Sequence, residues 1–574
     1  MRRLTFLALA APLWAAAAEQ LALPALDALP ALPQPYLLRD WKKTACDFDA
    51  VAFDFSRRGQ YLPLPWWDTT RVNIGRDILA LPAYIGHGEQ TAASPGNYET
   101  ITCLAALVSA TRVGIDKAPA GGTNWVELAT GYFSSRNGAN LYLNRTDAST
   151  GESFWYELLP SILFYQLYDG YRSTPGMPAQ FRITADRWVE ACRGMGGSIT
   201  PWTLPDFDHT AFNLKTGKPL DNGKWKEADA AAAVAWIETL AASHLGDKRY
   251  CDAAEWGLQY LDTCRTNPLY ECLLPFGALA AARANAERGT RHDVGKLLNW
   301  CFDGSNPRKW GMLNQRFGDT DCHGLIGSVY PDCQFAFAMN TFSMAGALAP
   351  VARYDTRYAA ALGKWLLNVA VRSRLFYPDA WPAEYQTGLD WQRQNLPENC
   401  IAYEGLREQG LRRTYTATSP PQPVVTKLPQ RPYAAGDPTF LGWGKTDFGL
   451  YGSAFVGQLA ALVETTEVEG VLRFDLLATD SFIPPSWPTY LYYNPHPAAK
   501  RVTCPLAPGA IALYDAAAHR FIARNAGGKA ALDIPGGGAR VLVLCPEKGA
   551  FKTVAGRLSC DGRVIDYRAP AQQK

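Results

Sequence analysis

Apolar residues recur with helical spacing over most of the first 465 residues, and two kinds of predicted helix alternate there. Some segments, such as 226–245 and 334–353, are apolar on nearly every side, whereas others, such as 249–265, carry charge along one side. Helices apolar all round belong in the interior, and one-sided helices belong outside them. The predicted helices are 36–54, 97–113, 154–171, 178–195, 226–245, 249–265, 269–287, 292–302, 334–353, 357–376 and 451–463.

This alternation predicts a mainly α domain over residues 36–465, an (α/α)6 toroid with an inner ring of helices inside an outer ring. A plain bundle or a superhelical array is the alternative. The connections from inner to outer helices are short, whereas those back to the inner ring are long: 196–224, 303–333 and 377–449. All long connections of a toroid emerge at one end, so we expect that end to carry function.

Residues 466–574 have a different pattern, with short alternating runs separated by Gly and Pro, as in 471–476, 489–493 and 541–545. This pattern predicts a C-terminal antiparallel β-sandwich. The region has few clustered acids, so an accessory role is expected, with no catalytic group.

Composition narrows the class of protein. The 574 residues are 48% hydrophobic and 19% charged, which is typical of a globular protein of more than one domain. The formal net charge is +2 with no long basic run, so nucleic acid is not expected as a partner.

The N-terminus begins with Arg2 and Arg3, continues with an apolar run and ends in Ala15 to Ala18. This order predicts a signal peptide over residues 1–18 and a secreted or periplasmic protein. A membrane anchor is the alternative, but the run is short for a membrane span. Residues 19–35, rich in Ala, Leu and Pro, are interpreted as a linker.

The chain has 13 cysteines, an odd number. In an exported protein, Cys322 could pair with Cys333, and Cys545 with Cys560. Most others are expected to be buried free thiols. No C-x-x-C pair occurs, so a structural zinc cluster is not expected. No metal ligand and no cofactor are predicted.

Three loops carry most of the candidate chemistry. The first contains Asp208 and His209 and is followed by Glu227. The second contains Asp319, Asp321 and His323, and the third contains Glu384. Acids paired across a scissile bond are the groups that glycoside hydrolysis requires, one protonated and one ionised.

Each of these residues also has a structural interpretation. Glu227 and Asp229 fall where acids offset a helix dipole. Asp319 and Asp321 suit a turn or a calcium site, although no EF-hand pattern follows. His209 and His323 suit the core, or a metal site together with Asp208 and Asp321.

Aromatic residues lie near the same segments, and sugar rings bind to aromatic platforms. The residues expected to contact substrate are His209, His323, Asn340, Trp67, Trp155, Trp225, Trp310 and Trp391. Adjacent tryptophans are equally suited to filling a core.

The alternating helices, one elaborated end and a C-terminal sandwich resemble the six-hairpin glycosidase-like (α/α)6 toroids. The resemblance is architectural and implies a secreted enzyme acting on a polysaccharide or oligosaccharide. A glycoside hydrolase is the leading expectation. A polysaccharide lyase on a uronate-containing glycan and a non-catalytic glycan-binding protein are the alternatives.

Glu227 and Asp321 are predicted as the acid/base pair, with Asp208, Asp319 and Glu384 in reserve. Apolar surroundings would raise the pKa of Glu227, whereas a helix N-terminus would lower it. We expect residues near Glu99, Glu157, Glu227, Asp321 and Glu384 to meet at one end of the toroid. Inversion, with carboxyls roughly 6.5–9.5 Å apart, is favoured by architectural analogy over retention at about 5–5.5 Å.

Overall fold

The computed structural model describes most of the chain after residue 18, so the predicted signal peptide lies outside the described residues. The described residues are 19–570 without 72–76, 87–97, 145–149, 224, 331–333, 387, 399–400, 402–404, 409–410, 416, 419–422, 428–432, 435–445, 507–508 and 510.

Helices account for most of the regular structure before residue 460. The α-helices are α1 Trp41–Ala52, α2 Thr100–Arg112, α3 Trp125–Ala129, α4 Phe154–Gly170, α5 Met177–Gly194, α6 Ala230–Leu245, α7 Lys248–Thr263, α8 Leu274–Arg288, α9 Val294–Phe302, α10 Ala338–Leu348, α11 Val351–Tyr354, α12 Ala359–Arg372, α13 Leu389–Asn395, α14 Leu450–Ser453 and α15 Val456–Ala460. Short 3-10 helices are Pro24–Leu26, Thr130–Tyr132, Thr356–Tyr358, Ser373–Phe376, Pro378–Ala380 and Ala383–Tyr385.

Strands occur in small sheets throughout the chain. In the first part they are β1 Trp66–Asp68, β2 Ile78–Ala80, β3 Ser198–Ile199, β4 Trp202–Thr203, β5 Ala211–Asn213, β6 Lys218–Leu220, β7 Trp310–Met312, β8 Arg316–Phe317, β9 Thr320–Asp321, β10 Ile326–Ser328, β11 Phe335–Phe337, β12 Gly405–Arg407, β13 Leu411–Tyr415, β14 Pro423–Lys427 and β15 Tyr433–Ala434. Those that follow are β16 Val463–Thr465, β17 Leu472–Asp475, β18 Thr489–Tyr493, β19 Lys500–Pro505, β20 Ile511–Asp515, β21 Arg520–Ala526, β22 Lys529–Ile534, β23 Ala539–Pro546, β24 Phe551–Val554, β25 Arg557–Cys560 and β26 Arg563–Asp566.

Six helices contact one another in a closed cycle. Helix α2 packs on α4, α4 on α6, α6 on α8, α8 on α10, α10 on α15, and α15 returns to α2. These helices bury most of their surface, as α6 does from Ala230 to Ala241. Other helices lie against this cycle: α5 on α4 and α6, α7 on α6, α9 on α8, and α1 on α2 and α15.

The contact that closes the cycle requires a glycine. A Cβ at Gly457 in α15 would lie 2.3 Å from the Cα of Ser109 in α2, closer than two carbons can approach. The Gly457 N–H donates to the Ser109 hydroxyl at 2.9 Å, and that hydroxyl donates to the Ala454 carbonyl. The backbones therefore meet without an intervening side chain.

Several predicted boundaries differ from the structure. The apolar segment predicted as a helix from 334 begins as strand β11, and the helix starts only at Ala338. The strand joins a five-stranded sheet of order β15-β12-β11-β10-β7 that the sequence did not predict. Its strands are only two or three residues long, too short for a period of two to be visible.

From the sequence, Asn97 could cap the helix predicted through Val113, and Ser153 the helix predicted over 154–171. Asn97 lies outside the described residues, and Glu99 holds the N-cap position of α2. Ser153 holds the N-cap position of α4, but its hydroxyl makes no capping bond within that helix.

After residue 463 the chain forms an antiparallel six-stranded sheet of order β16-β17-β18-β23-β20-β21, a β19–β22 pair and a three-stranded sheet β24–β26. Strands β18 and β23 pack on α12. A second apolar core, including Val502, Leu513, Leu532 and Leu542, joins the β19–β22 pair to the six-stranded sheet. The sheet is thus covered by a helix and by a strand pair.

The segment 19–35, interpreted as a linker, runs against α12 and buries Leu23, Leu26 and Leu29. The Asn368 side-chain amide donates to the Pro30 carbonyl at 3.0 Å. These contacts attach the start of the described chain to an outer helix.

Cys322, Cys545 and Cys560 are free thiols, and Cys333 lies outside the described residues. The Cys545–Cys560 disulfide considered from the sequence is therefore not formed in this structure. Among the described residues, no helix combines the length and apolar character needed to cross a bilayer.

Candidate functional site

Three glutamates precede three helices of the cycle and form one cluster, here called the acid cluster. Glu99 comes directly before α2, and Glu227 and Glu271 each stand three residues before α6 and α8. The charges of Glu227 and Glu99 both raise the pKa of Glu271, so the three carboxyls lie within electrostatic range of one another. Free N–H groups at helix N-termini favour acids at such positions.

Glu227 is 2% exposed and binds the N-terminus of a neighbouring helix. The Ser153 hydroxyl donates to its carboxylate at 2.7 Å, and the Trp155 N–H donates at 2.9 Å. Burial raises the pKa of Glu227, and these donors lower it, with burial prevailing. The sequence left the direction of this shift open, because burial decides it.

Glu271 is partly exposed and has an unusual backbone, with φ at +54°. A non-glycine residue in this region is strained, and such residues collect at functional sites. Burial raises the pKa of Glu271 to about 7, against the lowering effects of the Tyr270 hydroxyl and the Arg308 charge. Glu271 therefore carries a proton for part of the time near neutral pH.

Asp229 joins the acid cluster to the next helix. It is fully buried and accepts a hydrogen bond from the Tyr270 N–H at 2.9 Å. Burial raises its pKa well above the ordinary value. This hydrogen bond connects the start of α6 to Tyr270, the residue before Glu271.

Two aromatic side chains beside the acid cluster remain open to solvent, Tyr156 at 39% and Trp225 at 42% exposure. The charges of Glu99, Glu271 and Glu227 all act on the Tyr156 hydroxyl, and burial and these charges raise its pKa. Exposed rings next to carboxyls are the arrangement expected where sugar rings stack.

Further rings form a continuous arc from the acid cluster to α14. The centroids of successive rings lie between 5.8 and 6.3 Å apart. Burial raises the pKa of Tyr451, in this arc, well above its ordinary value, and the charges of Glu99 and Glu271 raise it further. The rings, in order, are Tyr270, Trp310, Phe337, Tyr451 and Tyr84.

Arg308 lies beside the acid cluster, between two aromatic rings. Its guanidinium carbon is 4.1 Å from the Trp225 ring centroid and 3.6 Å from that of Tyr270. Its charge lowers the pKa of Glu227, Asp229 and Glu271 against the effect of burial. Arg308 and Trp225 line an open cleft of about 740 Å³, here called the Arg308 cleft.

Asn340, expected to contact substrate, is fully buried near the start of α10. Neither its side-chain oxygen nor its nitrogen has a hydrogen-bond partner in the structure. A buried amide without a partner costs about 1–3 kcal/mol, which is typical of a group that serves a ligand or a water molecule.

Asp321 has different partners from Glu227. His323 Nδ1 lies 2.6 Å from Asp321 Oδ1, and the Arg372 guanidinium, itself 1% exposed, donates to Oδ2. Burial raises the pKa of Asp321, but His323 and Arg372 outweigh it and hold the pKa at about 2. Asp321 therefore connects the β8–β9 hairpin to the C-terminal end of α12.

The reserve carboxylates Asp208, Asp319 and Glu384 are all exposed. His209 Nδ1 lies 3.3 Å from Asp221, and its carbonyl accepts from the Glu227 N–H at 2.8 Å. His209 is thus the predicted histidine that touches the acid cluster directly, through its backbone.

Of the predicted tryptophans, Trp155, Trp225 and Trp310 surround the acid cluster. Trp67 instead stacks between the rings of Phe55 and Trp125, at 5.5 and 6.0 Å. Trp391 is buried, and its N–H donates to the Gln60 carbonyl at 3.1 Å.

The sequence did not single out Glu271, Tyr156, Tyr270 or Arg308. Glu271 is a lone acid in an apolar run that was interpreted as part of a helix from 269. A signal was present, since Glu271 stands at the same distance before its helix as Glu227 does.

The described residues contain no group of three or more His, Cys, Asp or Glu side chains arranged to hold a metal ion.

No protein-family model and no curated protein matches the chain. Among solved structures it is similar to a β-arabinofuranosidase of family GH127, with 8% identity, a TM-score of 0.33, and coverage of 90% of this chain and 77% of that one. It is also similar to a GH127 β-L-arabinofuranosidase from Geobacillus stearothermophilus T6, with 9% identity, a TM-score of 0.31, and coverage of 91% and 80%. At such values the site itself must carry the functional argument.

Proposed function

We propose that this protein is a secreted glycoside hydrolase whose reaction takes place at the acid cluster. The observation that carries the proposal is Glu271, a residue of intermediate exposure whose carboxyl has a pKa of about 7 and lies among other carboxyls and open aromatic rings. A glycosidase needs one carboxyl that is protonated at the working pH and a second that is ionised.

In this proposal Glu271 is the general acid that protonates the leaving-group oxygen. Glu99, also partly exposed, is the second carboxyl that activates water or attacks carbon. The charges of both acids raise the pKa of Tyr156 and of Tyr451, which supports a position of the two acids close to the same rings. Glu227, enclosed behind them, is a positioning residue that holds the start of α4 and raises the pKa of Glu271.

The pair predicted from the sequence, Glu227 with Asp321, is the competing assignment. The ion pair with Arg372 gives Asp321 a structural role, which favours Glu271 and Glu99. The variants Glu271→Gln, Glu99→Gln and Asp321→Asn separate the two assignments.

We also propose that the cycle of six helices with its outer helices is an (α/α)6 toroid over residues 36–465, followed by a β-sandwich over 466–574. The closed order of helix contacts supports the first, and the sheet covered by the β19–β22 pair supports the second. The acid cluster then lies where the inner helices begin.

The test is incubation of the purified protein with a panel of polysaccharides, followed by product analysis. A hydrolase releases saturated reducing ends. An unsaturated product that absorbs ultraviolet light indicates a lyase, and no product indicates a binding protein; either result contradicts the proposal.

On a cleaved glycan, Glu271→Gln should lower turnover by about 10²–10⁴-fold, as expected for loss of a general acid. The control is Glu190→Gln, which changes an exposed acid on the outer helix α5. Near-normal turnover of Glu271→Gln would remove Glu271 from the mechanism.

A further inference from the structure

Arg308 forms no ion pair with any described residue. Its Nη1 is buried without an acceptor in the structure, and none of the ion pairs between described residues includes it. Three arginines that are almost fully buried do have such a partner: Arg372 with Asp321, Arg283 with Glu287, and Arg353 with Asp480. A guanidinium removed from water without an acceptor is unfavourable, so the site is incomplete as it stands.

Two rings fix the plane of this guanidinium. With Trp225 at 4.1 Å and Tyr270 at 3.6 Å from its carbon, the group is held by cation–π contacts. A guanidinium held flat keeps its N–H donors along its edge, which is the geometry that binds a carboxylate with two parallel hydrogen bonds. The rings therefore preorganise Arg308 for a planar anion.

The Arg308 cleft is large enough for a sugar, and a second positively charged residue lines it. Lys226 lines it, with Nζ 2.7 Å from Asp221 Oδ1 and 2.8 Å from the Asp208 carbonyl. Asn267 and the exposed ring of Tyr330 line the same cleft. A sugar bound there would face Arg308 and would stand next to the acid cluster.

We propose that the Arg308 cleft binds the anionic group of an acidic sugar, either the carboxylate of a uronate or a sulfate ester. The claim that the substrate is an acidic glycan rests on the proposed hydrolase function. The claim that the cleft binds an anionic sugar does not depend on it. Arg308 is then a specificity-determining residue that selects acidic over neutral glycans.

The probes are methyl glucuronide, glucose 6-sulfate and methyl glucoside, measured by titration calorimetry on the full chain. The first two carry the anionic group at position 6, outside the sugar ring, and the third is a neutral glucoside. We expect at least one anionic probe to bind about 10- to 100-fold more tightly than methyl glucoside, the range for hydrogen bonds to a charged group. Whichever anion binds identifies the source of the charge.

Arg308→Gln should lower the affinity for the anionic probe to that for methyl glucoside. Arg308→Lys should retain part of the difference, because a lysine keeps the charge without the planar fork. The control is Arg288→Gln, an exposed arginine in the last turn of α8. Urea unfolding of each variant checks that the fold is retained.

Equal binding of the three probes, or an unchanged preference in Arg308→Gln, would overturn the proposal. The proposed function fails separately. If Arg308→Gln loses the acidic probe while the wild type cleaves no glycan, the anion site stands and the hydrolase assignment falls. If a glycan is cleaved in a Glu271-dependent manner while the three probes bind the wild type equally, the hydrolase stands and the anion site falls.

Discussion

Asp321→Asn is the substitution that best separates the structural role of this residue from a catalytic one. The native carboxylate accepts from the His323 N–H at 3.0 Å, contacts the His323 ring and pairs with Arg372. Asparagine keeps the shape but has one acceptor oxygen and no charge. Arg372, at 1% exposure, would then be buried beside a neutral group.

The expected loss of stability follows from the pKa of Asp321. Lowering the pKa from 3.8 to about 2 corresponds to about 2 kcal/mol, because one pKa unit is about 1.4 kcal/mol. Leaving a buried arginine without its partner can raise the loss to about 3–5 kcal/mol. We therefore expect the free energy of unfolding to fall by about 2–5 kcal/mol at pH 7.

The loss should depend on pH in a defined direction. An acid whose pKa is lowered by folding stabilises the native state above its unfolded pKa, near 3.8, and ceases to do so as the pH falls through about 2. Urea unfolding curves of the wild type and Asp321→Asn should therefore differ most at pH 5–7 and converge towards pH 2.

The matched control is Asp319→Asn, because Asp319 is an exposed acid in the same β8–β9 hairpin. It should leave the urea midpoint unchanged. If Asp321→Asn also unfolds at the wild-type urea concentration at pH 7, the ion pair with Arg372 contributes nothing and the reasoning fails. If stability is retained but turnover is lost, Asp321 regains its place as a catalytic candidate.

Two further predictions concern buried titratable groups. His292 lies 2.7 Å from Asp262 and 3.5 Å from Glu255; burial lowers its pKa, but these acids outweigh it and raise the pKa to about 9. The stabilisation, about 3 kcal/mol, is present below pH 6.5 and is lost as the pH rises through 9, so urea midpoints of His292→Asn and the wild type should differ at pH 6 and converge above pH 9. Glu238 in α6 is fully buried with neither carboxyl oxygen hydrogen-bonded, and burial raises its pKa well above the ordinary value. An acid kept neutral by folding destabilises the native state as the pH rises above its unfolded pKa, so Glu238→Gln should gain stability relative to the wild type between pH 4 and pH 8; an unchanged difference would contradict the stated cause.

The helices could be predicted because their signal is local. The run Ala230–Leu245 is almost uncharged and rich in alanine, and it forms a buried helix over that range. The strand Phe335–Phe337 could not be predicted, since its pairing partner Gly405–Arg407 is distant in sequence. A Cβ at Gly405 would lie 1.7 Å from the Phe335 ring, a contact that no pattern along either segment shows.

The candidate site shows the same division. Glu227 could be named because it stands beside Trp225 at a predicted helix start. The partner of Ser153 could not be predicted, because the sequence suggests that its hydroxyl caps its own helix. In the structure the hydroxyl donates to Glu227, which is 74 positions away. Glu271 escaped notice because its left-handed backbone breaks what looks like one continuous apolar helix. The local sequence pattern predicts which residue types stand at helix ends. Which of these residues contact one another depends on tertiary packing.

The junction between Ser109 and Gly457 determines when this protein can fold. The two residues are 348 positions apart, so α2 leaves the ribosome long before its neighbour α15 exists. At about 5–20 residues per second, roughly 17–70 s of synthesis separates them. During that interval Ser109 and the apolar side chains of α2 around it have no native cover on that flank. Cotranslational folding must therefore stop short of the native state until the last helix of the cycle arrives, and a chaperone that shields α2 would act in this window.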